Sequence, residues 1–420
     1  MPRVSDPAEP PTTIEPAAQP IPDEADAIAF VLALGRALHK YGTPAHRLEE
    51  ALKVACKRLD LEAEIFTSPT ALILSFGEPT ELRTRMMRVE GGELDMDKLE
   101  QVDDLADEVA AQRVTAAEGV ERLEQILAAP RVYSRSVTVV VNGLTSGTLA
   151  VFFGGSLMDV AIAALVGVML GLLGLVTQRS SDQTRVFELI GSAFCALVAN
   201  VLSPFIAISP TIVTLAALVV LLPGMSLTVA MTELATRHLI AGTARLMSAV
   251  IVLLQLVVGV ALGERVASAL VAVETAPPAA MPEWAQWVAL IASALGMAII
   301  VQAQKRAFVW ILAASVIGYL GTGIGTQWLD DRMGVIVGAF CVGVLGNVFA
   351  RLMERPAQVV HVPATLLLVP GSMGFRGVAA LLGRDTLSGV GTVFEMFVVA
   401  IAIVAGLLIA NAVVSPRRSL

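Results

Sequence analysis

Two short stretches carry chemistry that a plain apolar helix lacks. "VVLLPGMSLTVA" runs from Val219 to Ala230, and "LLLVPGSMGFRG" runs from Leu366 to Gly377. Each sets a Pro-Gly pair inside a Leu/Val run and follows it with small or hydroxyl residues. Proline removes a helix hydrogen bond and its ring clashes with the preceding turn. The glycine beside it permits a break. Downstream of a break a new helix begins, with free N–H donors and partial positive charge, which is a seat for a carboxylate. Pro223, Gly224, Met225, Ser226 and Thr228 at the first break are therefore candidate substrate-binding residues. So are Pro370, Gly371, Ser372 and Arg376 at the second. The hydroxyls of Ser226, Thr228 and Ser372 suit a small polar acid. The competing reading is that each Pro-Gly pair ends a helix and that Arg376 sits in a loop.

Polar and charged groups inside apolar runs form a second set. Asn200 and Asn347 are amides that either contact substrate or bond helix to helix. Asp159, Glu188, Glu233 and Glu395 are carboxylates in or beside apolar segments, where ionisable groups mark ion or proton pathways. A partly desolvated carboxylate titrates in a useful range, and Glu188 and Glu395 are the favoured proton-coupling candidates. Against this stands placement at an interface, or pairing with Arg185 or Arg245. The glycine pairs Gly167/Gly171 and Gly321/Gly325 read as close-packing sites.

A third cluster lies near the front, in "YGTPAHRLEE", Tyr41–Glu50. Gly42, His46, Arg47 and Glu49 are its distinctive members. A histidine beside glutamate and arginine suggests hydrolysis, but no G-x-S-x-G, H-E-x-x-H or phosphate loop accompanies it. Arg47 and Glu49 read as an ion pair at a helix start. His39, His238 and His361 are isolated and read as surface or interfacial residues. Cys56, Cys195 and Cys341 lack metal-ligand spacing, so no metal or other cofactor is expected.

The elements that must hold these residues follow from composition. The chain has 420 residues, is 55% hydrophobic and has a mean hydropathy of +0.74, which marks a polytopic membrane protein. Residues 1–130 hold 13 Lys and Arg against 25 Asp and Glu, and the rest hold 16 against 12. The acidic front argues against nucleic acid as a partner. Residues 1–22 are Pro-rich with no apolar core, so they read as a disordered tail rather than a secretory signal. Residues 23–130 read as a small α+β cytoplasmic domain: helices over "DEADAIAFVLALGRALHKYG" and "TPAHRLEEALKVACKRLD", three short strands, then two amphipathic helices.

Past Arg131 come ten apolar segments, at about 137–156, 159–177, 186–206, 210–229, 245–263, 285–303, 307–328, 333–350, 362–381 and 391–412, each near the ~20 residues of a bilayer span. With ten spans, twelve Lys and Arg fall on the side of the N-terminal domain and four on the other, which places both termini in the cytoplasm. Displaced by 147 residues, the membrane part matches itself: Arg185 meets Arg332, Asn200 meets Asn347, Pro223-Gly224 meets Pro370-Gly371, and Arg237 meets Arg384. Five spans per half, over 131–265 and 284–413, force the second copy to enter from the opposite side. The expected fold is mainly α, two five-helix inverted repeats behind a small α+β domain, an arrangement that recurs in secondary transporters.

At these residues the chain resembles the threonine/serine exporter family. "YGTPAHRLEE" resembles that family's N-terminal domain, "VNGLTSGTLAVFFGGSLMD" (Val141–Asp159) its junction, and "LLVPGSMGFRG" its C-terminal module. The resemblance implies a single-chain, multi-pass inner-membrane exporter of small amino acids, an antiporter driven by the proton gradient. Split two-protein relatives exist, some linked to small dicarboxylates, and hydrolase-like activity has been suggested for the front domain. The expected partners are thus a small amino acid, protons and the lipid bilayer, with homo-oligomerisation open. A dicarboxylate exporter and a membrane-tethered hydrolase are the alternatives.

Overall fold

The computed structural model describes residues 22–78, 80–91, 94–177, 186–272, 281–330, 332–368, 371–382 and 385–416. The predicted tail lies outside them except Pro22, and so do Pro370, Arg179, Arg185 and Arg384.

The N-terminal domain opens with α1 (Pro22–Lys40) and α2 (Ala45–Arg58). Gly42 joins them with φ +82°, which costs a glycine little. The Thr43 amide then reaches back to the Leu38 carbonyl at 3.1 Å and closes α1. Pro44 holds the N-cap position of α2. Three antiparallel strands follow in the order β1 (Ala63–Ser68), β2 (Ala71–Phe76), β3 (Arg83–Arg88), with Ile65 opposite Leu74. Alternation puts Leu72, Leu74 and Phe76 of β2 on one face, where they share a core with Phe30 and Leu34 of α1 and Leu48 and Leu52 of α2. Helices α3 (Met96–Ala110) and α4 (Ala116–Ala128) complete the domain. Asp95 and Thr115 cap them, accepting from the Lys98 and Glu118 amides.

The remainder is helical. In order come α5 (Arg135–Phe152), α6 (Leu157–Thr177), α7 (Phe187–Leu202), α8 (Pro210–Leu218), α9 (Gly224–Ala235) and α10 (Leu239–Leu270). Then follow α11 (Glu283–Ile300), α12 (Phe308–Trp328), α13 (Val335–Met353), α14 (Gln358–Leu366), α15 (Gly371–Leu382) and α16 (Thr386–Val413). Each of the ten predicted segments coincides with one helix or one broken pair. Among the described residues, seven stretches are long and apolar enough to cross a membrane, and an eighth if the pair at Pro223 is one span, bent by 52°. The two that fall short are α7, with 16 residues, and α5, whose length is interrupted by Ser, Thr and Asn. So the protein is a mainly helical membrane protein with a small three-stranded sheet.

Helix starts recur at a fixed displacement: Gly224 and Gly371, then Leu239 and Thr386, are each 147 residues apart. Contacts recur with them. A Cβ added at Gly259 on α10 would strike the Leu189 carbonyl of α7, and one at Gly406 on α16 would lie 2.5 Å from the Ile336 carbonyl of α13. Both members of that contact are displaced by the same 147 residues. The Gly167/Gly171 stripe of α6 packs on Gly143, Ser146 and Val139 of α5, and Gly321 of α12 packs on Gly338 of α13. These are the close approaches that small residues permit between apolar helices.

Candidate functional site

The two breaks meet. A Cβ added at Gly371, the first residue of α15, would lie 3.2 Å from the Leu222 Cβ and 3.3 Å from the Gly224 Cα. Beside this contact opens a cavity of about 590 Å³. Pro223, Gly224, Met225 and Ser226 line it from the first break, and Leu366, Leu367, Gly371 and Ser372 from the second. The other walls are α5, through Thr138, Asn142, Leu149, Phe152 and Phe153, and α11, through Leu290, Met297 and Ile300. Leu94, Arg131, Val301 and Gln302 form the end nearest the N-terminal domain.

The chemistry of these walls is uneven. Helices α9 and α15 each present their N-terminal turn, where amide donors have no intrahelical acceptor and the helix dipole is positive. Thr138 and Asn142 make the α5 wall polar, whereas α11 offers only apolar side chains. Among the described lining residues there is no Asp or Glu. The arrangement accommodates a small molecule with one anionic end, one polar flank and one apolar flank.

Not all the sequence candidates come here. Thr228 is buried one turn into α9 and donates to the Gly224 carbonyl at 3.2 Å. Arg376 is exposed and stacks over Phe153, 5.4 Å from the ring centroid, so it touches the cavity wall from behind. Asn200 donates to Ala196 within its own helix at 2.8 Å. Asn347 donates to Asn411 and to the Val414 carbonyl at 2.8 and 2.7 Å, fastening α13 to the end of α16. Neither asparagine lines the cavity. Asp159 is a buried cap: it accepts from Ser156 at the start of α6 and from the Ser209 amide at the start of α8, the latter at 2.6 Å. Glu395 pairs with Arg332 at 2.5 Å. Glu188 is half-buried in the first turn of α7 and has no ion-pair partner among the described residues.

Glu233 and the Tyr41–Glu50 motif converge instead at a joint between the N-terminal domain and α9–α10. Glu233 is fully buried and accepts from the Ala45 amide and from Arg245, all at 3.0 Å. Glu49 accepts from the Thr67 amide and hydroxyl at 3.0 Å and meets His238 Nε2 at 3.3 Å. The predicted Arg47–Glu49 pair is therefore not formed. Arg47 pairs with Glu50 at 3.5 Å because the next residue along lies on its own side of α2. Nor is His238 isolated, since its ring centroid lies 6.1 Å from that of His46.

Burial, with Arg47 and His238 adding to it, lowers the His46 pKa from 6.5 to about 4. The neutral ring is the folded form, so the unfolded chain binds more protons between those two values. His46 therefore contributes stability above pH 6.5 that is lost as pH falls toward 4. The expected result is a melting temperature that drops across this window, with a shallower drop in His46→Gln, read by thermal unfolding of the purified protein.

Asn142, Thr138 and Gln302 were not among the sequence candidates. Asn142 stands in "VNGLTSG", the stretch that carries the junction resemblance. Gln302 follows α11 with φ +58° and receives the Tyr133 amide at 2.9 Å, a tertiary contact that no spacing announces.

Taken together, the helices and the cavity between their breaks define a mainly helical membrane protein with an attached α+β domain. The chain belongs to the threonine/serine exporter family: residues 29–267 match the ThrE family model, and residues 286–413 match a second one described as Threonine/Serine exporter, ThrE. Among curated proteins it is similar to pheromone-regulated membrane protein 10 of Eremothecium gossypii, 27% identical over 83% of this chain and 48% of that one. The proteins of the same name from Saccharomyces cerevisiae and Candida glabrata are 28% and 26% identical, over 82% and 87% of this chain and 46% and 49% of theirs. The chain thus spans about half the length of the curated relatives it matches. No solved structure matches it.

Proposed function

We infer that the protein is a secondary transporter that exports threonine, serine or a similar small polar acid across the inner membrane. The observation that carries this is the meeting of two Pro-Gly breaks at one cavity. Substrate carboxylate binds at the N-terminal turns of α9 and α15, with Ser226, Ser372 and Asn142 offered to its polar groups. Broken helices at an interface between repeats are the usual substrate seats of such transporters. The recurrence of helix starts and glycine contacts at 147 residues supports two inverted five-helix halves, and hence ten spans. The N-terminal domain docks on Arg306 and Arg355, loops that the charge count assigns to the cytoplasm. Both termini are accordingly assigned to the cytoplasmic side. Of the four carboxylates, Glu188 is the candidate for proton coupling: among the described residues it has no ion-pair partner, whereas the other three are engaged in caps or ion pairs.

The testing experiment is efflux of labelled threonine from cells or inverted vesicles, with and without a proton gradient. Gradient-dependent, saturable efflux above an empty-vector control is expected, and its absence removes threonine as substrate. A dicarboxylate is the second reading, favoured by a cavity that Arg131 lines and whose described lining residues include no Asp or Glu; competition by small dicarboxylates decides it. No observation favours a hydrolytic front domain: among the described residues, the crevice at His46 is lined by Glu49, Glu50, Lys53, Val54, Lys57 and His238, none of which carries a nucleophilic hydroxyl or thiol.

A further inference from the structure

Among the described residues, the N-terminal domain meets the apolar helices under α3 and under α2. Under α3 the contacts are the Met96 amide donating to the Val301 carbonyl, Gln304 donating to Asp97, and the ion pairs of Glu100 with Arg306 and Asp104 with Arg355. The Asp104–Arg355 pair is open to water and salt through Asp104, which is 47% exposed, whereas Glu100 is buried beneath a partly exposed Arg306. Under α2 the contact is closed. Glu233 has no exposed surface, and its three donors come from two other elements, α2 through Ala45 and α10 through Arg245. A second carboxylate crosses the other way, since Glu49 of α2 meets His238, the N-cap residue of α10.

Glu233 sits on α9, the 12-residue helix whose first residue, Gly224, lines the cavity. A helix of three turns is stiff on this scale, so what holds one end orients the other. The geometry points to Glu233 as a positioning residue: its carboxylate, shared by Arg245 and the first amide of α2, couples the N-terminal domain to the first broken helix and fixes the cavity wall at Gly224–Ser226. This rests on reading the cavity as the transport site. It also gives the Tyr41–Glu50 motif a task. Gly42 turns the chain, Pro44 enters α2 in extended geometry, and the Ala45 N–H, an orphan donor of the helix start, faces a carboxylate. Glu233 and Arg245 already balance each other in charge. What α2 adds is one charge-assisted hydrogen bond at its positive end.

The test cuts the joint from the domain side. Ala45→Pro removes the N–H and puts a ring carbon where it met Glu233. Proline is favoured at the first helical position, and the extended Pro44 (ψ 150°) is compatible with a following proline. Full-length wild type, Ala45→Pro, Glu233→Gln and the double variant are compared for protease cleavage in the connector at residues 129–134 and for threonine efflux kinetics. We expect both single variants to be cleaved faster at the connector and to raise the apparent KM about tenfold, with the double variant no worse than the more severe single, because both cut one joint. A fold defect alone lowers the maximal rate through fewer active molecules and leaves KM unchanged. That pattern, additive losses, or wild-type cleavage and kinetics in Ala45→Pro each overturn the assignment. If Glu233→Gln does not accumulate, Ala45→Pro decides alone. Absent threonine efflux in wild type would sink the transport reading, while the cleavage arm would still decide the joint.

Discussion

Gly371→Leu is expected to abolish threonine efflux in a protein that still folds. An added Cβ alone would stand 3.2 Å from Leu222 Cβ and 3.3 Å from Gly224 Cα, tighter than ordinary contact. Alanine there needs the two breaks to part by a few tenths of an ångström, and loses about twofold to fivefold in rate. Leucine adds three more carbons at a point where backbone faces backbone. They must separate the breaks or enter the cavity, and either outcome spoils the seat between the N-terminal turns of α9 and α15. Overpacking costs about 1–3 kcal/mol, less than the ~5–15 kcal/mol that holds a typical protein folded. The loss of transport, about 100-fold or more, therefore exceeds the loss of folded protein. Efflux per folded molecule, with melting temperature in detergent as the control, measures it. Normal efflux in Gly371→Leu would mean that the contact between the breaks is not part of the site.

Much of this architecture was legible in the sequence because the signals were physical and repeated. Gly42, Pro44 and the Leu72–Leu74–Phe76 alternation each specify a local geometry that nothing nearby opposes. The Pro-Gly pairs announced helix breaks, and their shared displacement implied that they belong together. What the sequence could not show is who meets whom across the chain. Glu233 looked like an intramembrane carboxylate suited to proton transfer, because its partners are Arg245, on a separate helix, and an alanine amide 188 residues away. A backbone N–H leaves no mark in residue type. Asn200 and Asn347 occupy equivalent positions yet bond differently, one within its helix and one to the end of α16. Equivalence in a repeat gives depth along a helix but not partner. Asn142 was missed for the opposite reason. Its equivalent position in the second half holds Ala289, so repetition does not mark it.

The ion pair under α2 makes the second large prediction, and it separates folding from coupling. In Arg245→Leu the Glu233 carboxylate keeps only the Ala45 amide, in a place with no exposed surface. Stranding one partner of a buried pair costs about 3–5 kcal/mol, because the remaining charge cannot recover its hydration. That is a large part of a typical stability, so yield and melting temperature should both fall sharply. Removing the second charge as well should undo much of the damage. Apolar replacement of a whole buried pair is often neutral, so Glu233→Leu/Arg245→Leu is expected to melt within a few degrees of wild type. Its N-terminal domain should nevertheless be loosened, since the Ala45 N–H has lost its acceptor and an unpaired buried donor costs about 1–3 kcal/mol. The single variant is thus unstable, and the double variant stable but protease-sensitive at the connector. Equal instability in both would show that the pair's charge balance is not what holds α9 to α10. A stable double variant with a protected connector would show that the domain is held without the Ala45–Glu233 bond, by its remaining contacts under α3 and at Glu49–His238.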